Sequence, residues 1–240
     1  MTGSRASILA SIQKSLHGTQ RHLPEAPTVV LSPPPLVADS TALAAKFAEE
    51  LARISGTFII LPAWEIAPWL AALLKERGTN DLLAWQPDAL PVPGVLAALR
   101  AGGVNLLDGE VPAAEPGRSQ ALARIETAKV GLTGVDAAFA ETGTLALWTG
   151  PGRPRLASLS VRTHVALLDP RRLFASWAAW LQTEGPAVVE RLQQASNLAL
   201  IGGPSRTGDI EMTLTVGVHG PGQVIVILVS GADVPPAGAV

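Results

Sequence analysis

The chain has 240 residues and no cysteine, and its 18 Lys and Arg residues against 20 Asp and Glu residues give a net charge of −2. The lack of cysteine excludes disulfides, a cysteine nucleophile and the thiolate ligands of iron–sulfur clusters and most structural zinc sites. The balanced charge argues against a nucleic-acid-binding surface. No apolar run approaches the roughly 18 residues of a membrane span, and the N-terminus lacks the apolar core of a secretory signal, so we expect a cytoplasmic protein.

The first 36 residues predict a helix followed by an extended arm. Ile8, Ile12 and Leu16 recur every four residues, which places them on one face of a helix. Five prolines lie within residues 22–36, and proline lacks the N–H group that the interior of helices and sheets requires. We expect an α/β domain over residues 37–234 and a disordered tail over residues 235–240.

Short apolar segments alternate with helical patterns in that domain. The spacing predicts buried strands at residues 57–61, 198–201 and 224–229, and further strands at residues 81–85, 104–107 and 164–168. It predicts helices at residues 39–54, 64–77, 95–100, 173–181 and 209–216. This alternation favours a mostly parallel sheet with helices on both faces.

The Gly- and Pro-rich segment at residues 202–221 is the most informative stretch for function. Its loop carries Ser205, Arg206 and Thr207 between a predicted strand and a predicted helix. Loops at the carboxyl ends of parallel strands bind ligands, and the free N–H groups of a helix N-terminus favour anions. Arg206 adds a fork of donors that suits a carboxylate or a phosphate. We therefore predict an anion site here, to which Asp209 and His219 also contribute.

A structural interpretation of the same segment stays open. Thr207 or Gly208 is able to cap the predicted helix, and Asp209 would then complement the helix dipole. His219 lies between Gly217 and the Gly220–Pro221 pair, an arrangement typical of a tight turn, where a structural role is at least as common as a catalytic one.

A second candidate segment covers residues 131–144. Glu141 lies in an otherwise apolar run and precedes Thr142 and Gly143. A carboxylate in such surroundings is a candidate functional group, or else it caps the turn that Gly143 makes. Asp136 lies five residues earlier and Thr133 supplies a hydroxyl, so we place both in the same predicted pocket.

Histidine and tryptophan give weaker signals. His164 stands beside an apolar strand, where it is either a buried, hydrogen-bonded residue or a ligand-binding one. The four histidines lack the local spacing of metal ligands, and the chain carries neither a G-x-G-x-x-G nor a phosphate-binding loop motif. We predict no metal site and no cofactor.

Three ordered segments resemble the lactate utilization protein C family, the LUD-domain proteins. They are GLTGVDAAFAETGTLAL at residues 131–147, SLSVRTHVALLD at residues 158–169 and GGPSRTGDIEMTLTVGVHGPGQVIVIL at residues 202–228. The resemblance spans residues 129–229, and the earlier part of the chain matches only in pattern. It implies an α/β fold similar to the sugar-isomerase and CoA-transferase group.

The resemblance also implies a function. The chain would be the cluster-free subunit of a bacterial system that oxidises L-lactate to pyruvate, beside iron–sulfur lactate utilization proteins, and would bind a small carboxylate or phosphate or a partner protein. The alternative is an autonomous acyl- or CoA-transferase-like enzyme with Glu141 as its nucleophile, by analogy with the acidic turn of such folds. A third alternative is a purely structural assembly module.

Overall fold

A computed structural model describes residues 3–16, 40–208 and 214–231 of the chain. The chain divides into two units, residues 1–32 and residues 33–240. The first unit contains helix α1 (Gly3–Leu16), which agrees with the predicted N-terminal helix. The predicted arm at residues 22–36 and the predicted tail at residues 235–240 lie outside the described residues.

The second unit is built on a six-stranded parallel sheet. Its strands are β1 (Thr57–Pro62), β2 (Asp81–Ala84), β3 (Asn105–Leu107), β4 (Val130–Gly134), β7 (Thr163–Leu168) and β12 (Gln223–Ser230). Their order across the sheet is β1-β12-β7-β4-β2-β3, and each neighbouring pair is parallel. The predicted parallel α/β fold is therefore confirmed.

Two smaller sheets join this core. The first has the order β8-β5-β6-β9 and comprises β5 (Ala137–Phe139), β6 (Thr144–Thr149), β8 (Leu173–Phe174) and β9 (Asn197–Ile201). The second is an antiparallel pair formed by β10 (Arg206–Gly208) and β11 (Leu214–Val216).

Helices connect and cover the strands. They are α2 (Ser40–Arg53), α3 (Ala63–Glu76), α4 (Val95–Ala101), α5 (Gly117–Glu126), α6 (Leu156–Leu159) and α7 (Trp177–Gln194). Among the described helices, none has the length and apolarity that crossing a membrane requires.

Burial follows from the position of each strand in the sheet. Every residue of β4 and β7 is buried, because these strands lie in the middle of the sheet with neighbours on both sides and helices over their faces. The edge strand β1 is only partly buried, although its sequence TFIILP is as apolar as that of a central strand. Gly131 of β4 faces α6 so closely that a Cβ atom there would overlap the carbonyl oxygen of Ala157.

The strand order reverses between β2 and β4, which are neighbours in the sheet. The chain continues from β2 outward to the edge strand β3, whereas it continues from β4 toward β7 on the other side. Such a reversal opens a crevice at the carboxyl ends of the two strands, which is where open α/β sheets bind ligands.

The structure corrects two predictions about the segment around residues 198–216. The strand predicted at residues 198–201 is present as β9, but it pairs antiparallel with β6 and stays partly exposed, because it lies at the edge of the small sheet. Residues 214–216 form strand β11, where a helix over 209–216 was expected. The loop that carries Arg206 therefore does not follow a parallel strand, and a strand, rather than a helix, begins at Arg206.

Candidate functional site

A cavity of about 170 Å³ opens at the carboxyl ends of β2, β4 and β7. We call it the arginine cleft, because three arginines from distant parts of the chain meet there. Its lining consists of Trp85, Asp88, Ala89, Leu90, Pro91, Val135, Asp136, Arg153, Asp169, Arg172 and Arg191. The first five follow β2, Val135 and Asp136 follow β4, and Asp169 follows β7, so the cleft lies at the reversal of strand order.

Asp136 organises the cleft. The residue is 8% exposed, and Oδ2 accepts a hydrogen bond of 2.8 Å from the backbone N–H of Trp148. Oδ1 accepts bonds of 2.8 Å from Nη1 of Arg153 and 3.2 Å from Nη1 of Arg191. One buried carboxylate therefore fixes two guanidinium groups, one from the loop after β6 and one from α7.

Trp85 forms one wall of the cleft beneath Arg153. The guanidinium carbon of Arg153 lies 5.2 Å from the centre of a Trp85 ring, within the range of a cation–π contact. The indole Nε1 of Trp85 donates to the carbonyl oxygen of Pro154 at 3.3 Å, so this buried tryptophan is itself held in place. The orientation of Arg153 is set by Asp136 on one side and by an aromatic face on the other.

Arg172 completes the arginine group. Its Nη1 donates to Oε1 of Glu184 at 2.7 Å, and Oε2 of Glu184 accepts a bond of 3.1 Å from Nε1 of Trp180. Within the described residues, Arg153, Arg172 and Arg191 each make their side-chain hydrogen bonds through Nη1 alone. A guanidinium has five N–H donors, so each retains donors for an anion in the cleft.

The carboxylates around the cleft differ in their partners. Asp169 accepts hydrogen bonds from Arg171, and these bonds hold the pKa of the Asp169 carboxyl below its usual value. The Asp88 side chain is exposed. Three arginines and three aspartates line the cleft, so an anion would be bound through directed hydrogen bonds more than through net charge.

The predicted pocket around Glu141 is not present as one site. Asp136 lies before β5 and faces the arginine cleft, whereas Glu141 lies in the turn after β5 and is exposed. Oε1 of Glu141 accepts a bond of 3.3 Å from the backbone N–H of Trp177, the first residue of α7. The structure thus places the Glu141 carboxylate at a helix N-terminus, where a negative charge is stabilising.

Thr142 and Gly143 complete the turn between β5 and β6. The N–H groups of both residues donate to the carbonyl oxygen of Phe139, at 3.2 and 2.9 Å. Gly143 has φ of 65° and packs against the backbone of α2, where a Cβ atom would lie 2.5 Å from N of Leu51. The glycine is thus required by the approach of α2.

Thr133 and His164 form a buried pair inside the central sheet. Thr133 lies on β4 and His164 on β7, and both side chains are fully buried. Their Oγ1 and Nε2 atoms are 2.9 Å apart. Neither lines the arginine cleft, so the structure favours the buried, hydrogen-bonded interpretation of His164.

The predicted anion site around Arg206 lies at the other end of the strands from the arginine cleft. The Ser205 N–H donates to the carbonyl oxygen of Pro221 at 2.8 Å, just before β12 begins, which places this loop at the amino ends of the strands. Nη2 of Arg206 donates to Oγ of Ser55 at 2.6 Å. Thr207 pairs with Thr215 across the β10–β11 ladder. Asp209 lies outside the described residues.

His219 lies in the same region. It lines a groove of about 660 Å³ at the amino ends of the strands, together with Lys129 and Arg162. The structure therefore places Ser205, Arg206, Thr207 and His219 in one region at the amino ends of the strands. Asp136 lies apart from them, at the carboxyl ends.

Sequence reasoning missed the arginines of the cleft. Trp85 and Asp169 were not named as site residues either. Trp85 ends one predicted strand and Asp169 follows another, so the rule that ligands bind at the carboxyl ends of strands was sufficient to find both. Arg153, Arg172 and Arg191 come from a turn, a short 3-10 helix and the last turns of α7, and no local pattern links them. Among the described residues, no group of three or more His, Asp or Glu side chains is placed to hold a metal ion.

Comparison with known proteins identifies the family. The model of the LUD domain matches residues 44–229. Lactate utilization protein C of Exiguobacterium sp. is 38% identical over 102 residues, which cover 42% of this chain and 44% of that protein. Its namesake from Geobacillus sp. is 29% identical over 184 residues, 74% of each chain.

Other comparisons bear on coverage and fold. An uncharacterized protein of Neisseria meningitidis serogroup B is 35% identical over 107 residues, 45% of each chain. The matches to that protein and to the Exiguobacterium protein thus span less than half of those relatives. A crystal structure of a DUF162 family protein from Deinococcus radiodurans shares the fold, with a TM-score of 0.55 and 20% identity over 80% of this chain and 98% of that chain. The resemblance to lactate utilization protein C is confirmed, and the chain belongs to the LUD domain family.

Proposed function

We propose that this chain is a subunit of a bacterial lactate utilization system and that it binds a small carboxylate in the arginine cleft. Relatives named lactate utilization protein C support the system. The chain has no cysteine to hold an iron–sulfur cluster. The electrons of L-lactate oxidation to pyruvate would therefore pass to iron–sulfur partner proteins. We place this system in the cytoplasm.

The observation that carries the proposal is the Asp136 carboxylate between Arg153 and Arg191. A buried acid that bonds to two guanidiniums keeps them oriented toward the same cavity. Preorganised donors bind an anion without a further loss of side-chain freedom. A carboxylate has the planar, two-oxygen geometry that a guanidinium recognises best.

The size of the cleft supports a small ligand. Drug-sized molecules occupy cavities of roughly 300–1,000 Å³, whereas the arginine cleft measures about 170 Å³. Acids of three or four carbons suit this volume. The apolar side chains of Leu90, Pro91 and Val135 would face the methyl end of such an acid, since they share the cleft with the arginines.

A thermal-shift titration of the full chain tests the proposal. L-Lactate and pyruvate should each raise the melting temperature, because a ligand at 100 times its Kd stabilises the folded state by about 2.7 kcal/mol. Phosphate and coenzyme A serve as comparison ligands of different shape and size. A melting temperature that neither lactate nor pyruvate changes would contradict the proposal.

A matched pair of arginine variants locates the binding. Arg191→Ala should weaken lactate binding at least tenfold, because a hydrogen bond to a charged group contributes about 1.5–3 kcal/mol. Arg118→Ala removes the same charge from α5, where Arg118 does not line the cleft, and should leave the affinity unchanged. Equal losses in both variants would point to a general charge effect instead of a site.

A further inference from the structure

A second cavity of about 420 Å³ lies against α7, directly beside the arginine cleft. Arg172 and Arg191 line both cavities, so the two spaces adjoin at these side chains. We call this second space the α7 cavity. Its volume falls within the range typical of small-molecule sites, and the position of the shared arginines makes it an extension of the cleft.

The walls of the α7 cavity are mainly aromatic and aliphatic. Trp148 of β6 and Trp180 of α7 form one side, with their ring centres 6.3 Å apart, and the buried Val188 lies beside them. Trp148 is 4% exposed, and its Nε1 is buried without a hydrogen-bond partner among the described residues. An unpaired buried donor is costly, and the face of an aromatic ring is one acceptor that an N–H group uses.

The one carboxylate of the α7 cavity decides what kind of group fits. Glu184 lines the cavity and is already paired, with Arg172 at Oε1 and with Trp180 Nε1 at Oε2. A second anionic group in the cavity would be repelled by this carboxylate, whereas an uncharged apolar group would gain from contact with the indoles. The cavity therefore suits the neutral end of a ligand whose single charge lies at the arginines.

We infer that the ligand site of this chain accepts 2-hydroxy or 2-oxo monocarboxylic acids that carry an aromatic side chain. The carboxylate binds in the arginine cleft, as in the proposed function on which this inference rests. The aromatic ring passes the shared arginines and occupies the α7 cavity, where it packs against the wall that the two tryptophans form. Lactate, with its methyl group, fills only the first of the two spaces.

Calorimetric titration of the full chain with L-lactate, L-3-phenyllactate and succinate tests the inference. Phenyllactate should bind at least tenfold more tightly than lactate, because burial of an aromatic side chain adds more than the energy of one tenfold step. Succinate should bind no more tightly than lactate, since its second carboxylate would face Glu184. Phenyllactate binding no tighter than lactate overturns the inference and leaves the proposed function standing.

Variants of α7 show where the ring binds. Ala187 lines the cavity with an exposed side chain, so Ala187→Trp should fill the space without disturbing the core, and it should abolish the advantage of phenyllactate while lactate affinity is kept. Val189→Trp adds the same bulk at an exposed position that does not line the cavity, and should keep the advantage. Thr183→Trp, at another exposed wall position, repeats the test if Ala187→Trp does not fold.

The outcomes separate the inference from the proposed function. A phenyllactate advantage that persists in both filled variants overturns the α7 cavity as the binding place of the ring. Failure of both lactate and phenyllactate to bind the unmodified chain overturns the proposed function, and the inference with it.

Discussion

Oγ1 of Thr133 lies 2.9 Å from Nε2 of His164, and both side chains are completely buried between neighbouring strands of the central sheet. The second ring nitrogen, Nδ1, is buried without a partner among the described residues. Burial penalises the charged imidazolium and lowers the pKa of His164 from 6.5 to about 4. The histidine is therefore neutral in the folded protein at physiological pH.

This pKa predicts a pH dependence of stability. The folded-state pKa of about 4 lies below the unfolded value of 6.5, so between these values the unfolded chain binds more protons. The free energy of unfolding should then fall as pH decreases from 6.5 to 4, by about 3 kcal/mol in total from this residue. Urea unfolding at several pH values measures the slope. His164→Gln should reduce the slope of the free energy of unfolding against pH in this range. An unchanged slope in that variant would assign the pH dependence to other groups.

Gly143→Ala should destabilise the fold strongly. Gly143 has φ of 65°, and a Cβ atom there would lie 2.5 Å from N and 2.7 Å from Cα of Leu51, both backbone atoms of α2. A residue forced into this left-handed conformation costs about 1–3 kcal/mol, and the overlap adds to that. Thermal unfolding measures the loss. Gly150→Ala is the control, because Gly150 has a negative or extended φ and nothing within 4 Å of its added Cβ. Similar losses in both variants would contradict the packing argument.

Local patterns predicted most of the parallel sheet. The apolar runs at residues 57–61, 81–85 and 224–229 are strands β1, β2 and β12, because a strand covered on both faces must be apolar throughout. The same rule overestimated the burial of β1 and β9, whose sequences resemble central strands although both lie at sheet edges. Position within a sheet depends on strand order, and no local pattern records strand order.

The candidate site was predictable only in part. Asp136 was found from its sequence neighbourhood, but its partners Arg153 and Arg191 lie 17 and 55 residues further along the chain. Pairing of Asp136 with these arginines depends on the fold of β6 and α7 over the core, which is tertiary information. Glu141 was singled out because it interrupts an apolar run. The structure explains that interruption by the start of α7, which the sequence placed too early, at Leu173.

Asp136→Asn should lower stability through the loss of a charged hydrogen-bond network. The Asp136 carboxylate is nearly buried and bonds to Arg153, Arg191 and the N–H group of Trp148. We expect a loss of about 1–3 kcal/mol in urea unfolding, since both arginines stay partly solvated and recover some energy from water. Asp88→Asn removes an exposed charge from the same cleft and should change stability by less than about 0.5 kcal/mol. Equal effects of the two variants would show that the network does not stabilise the fold.

Glu141→Gln separates a structural role from a nucleophilic one. The carboxylate accepts a hydrogen bond from the first N–H group of α7, and a neutral amide keeps an acceptor there but loses the charge. We expect stability to fall by about 0.3–1 kcal/mol and lactate affinity to stay unchanged. In the transferase alternative, the Glu141 carboxylate attacks the thioester carbonyl of an acyl-CoA, which forms an acyl anhydride and releases coenzyme A; the released thiolate can then attack the anhydride, which leaves a CoA thioester on Glu141 and frees the carboxylic acid. This alternative therefore predicts an added acyl or CoA mass on the unmodified chain and not on the variant. Mass spectrometry of the intact protein distinguishes the two outcomes.

Arg206→Ala tests whether the anion binds at the amino ends or at the carboxyl ends of the central strands. The sequence motif pointed to Arg206, yet its exposed guanidinium bonds to the Ser55 hydroxyl at the amino ends of the strands. The arginine cleft lies at the carboxyl ends, where the reversal of strand order opens a crevice. We therefore expect Arg206→Ala to keep its affinity for lactate and Arg153→Ala to lose tenfold or more, because Arg153, unlike Arg206, is held toward a cavity by a buried acid. Arg153→Lys should recover part of the affinity, since an ammonium keeps the charge but lacks the fork of donors.

Calorimetry on the three variants, together with their melting temperatures, supplies the measurement. A tenfold loss in Arg206→Ala, with Arg153→Ala unaffected, would move the binding site to the motif at residues 202–221.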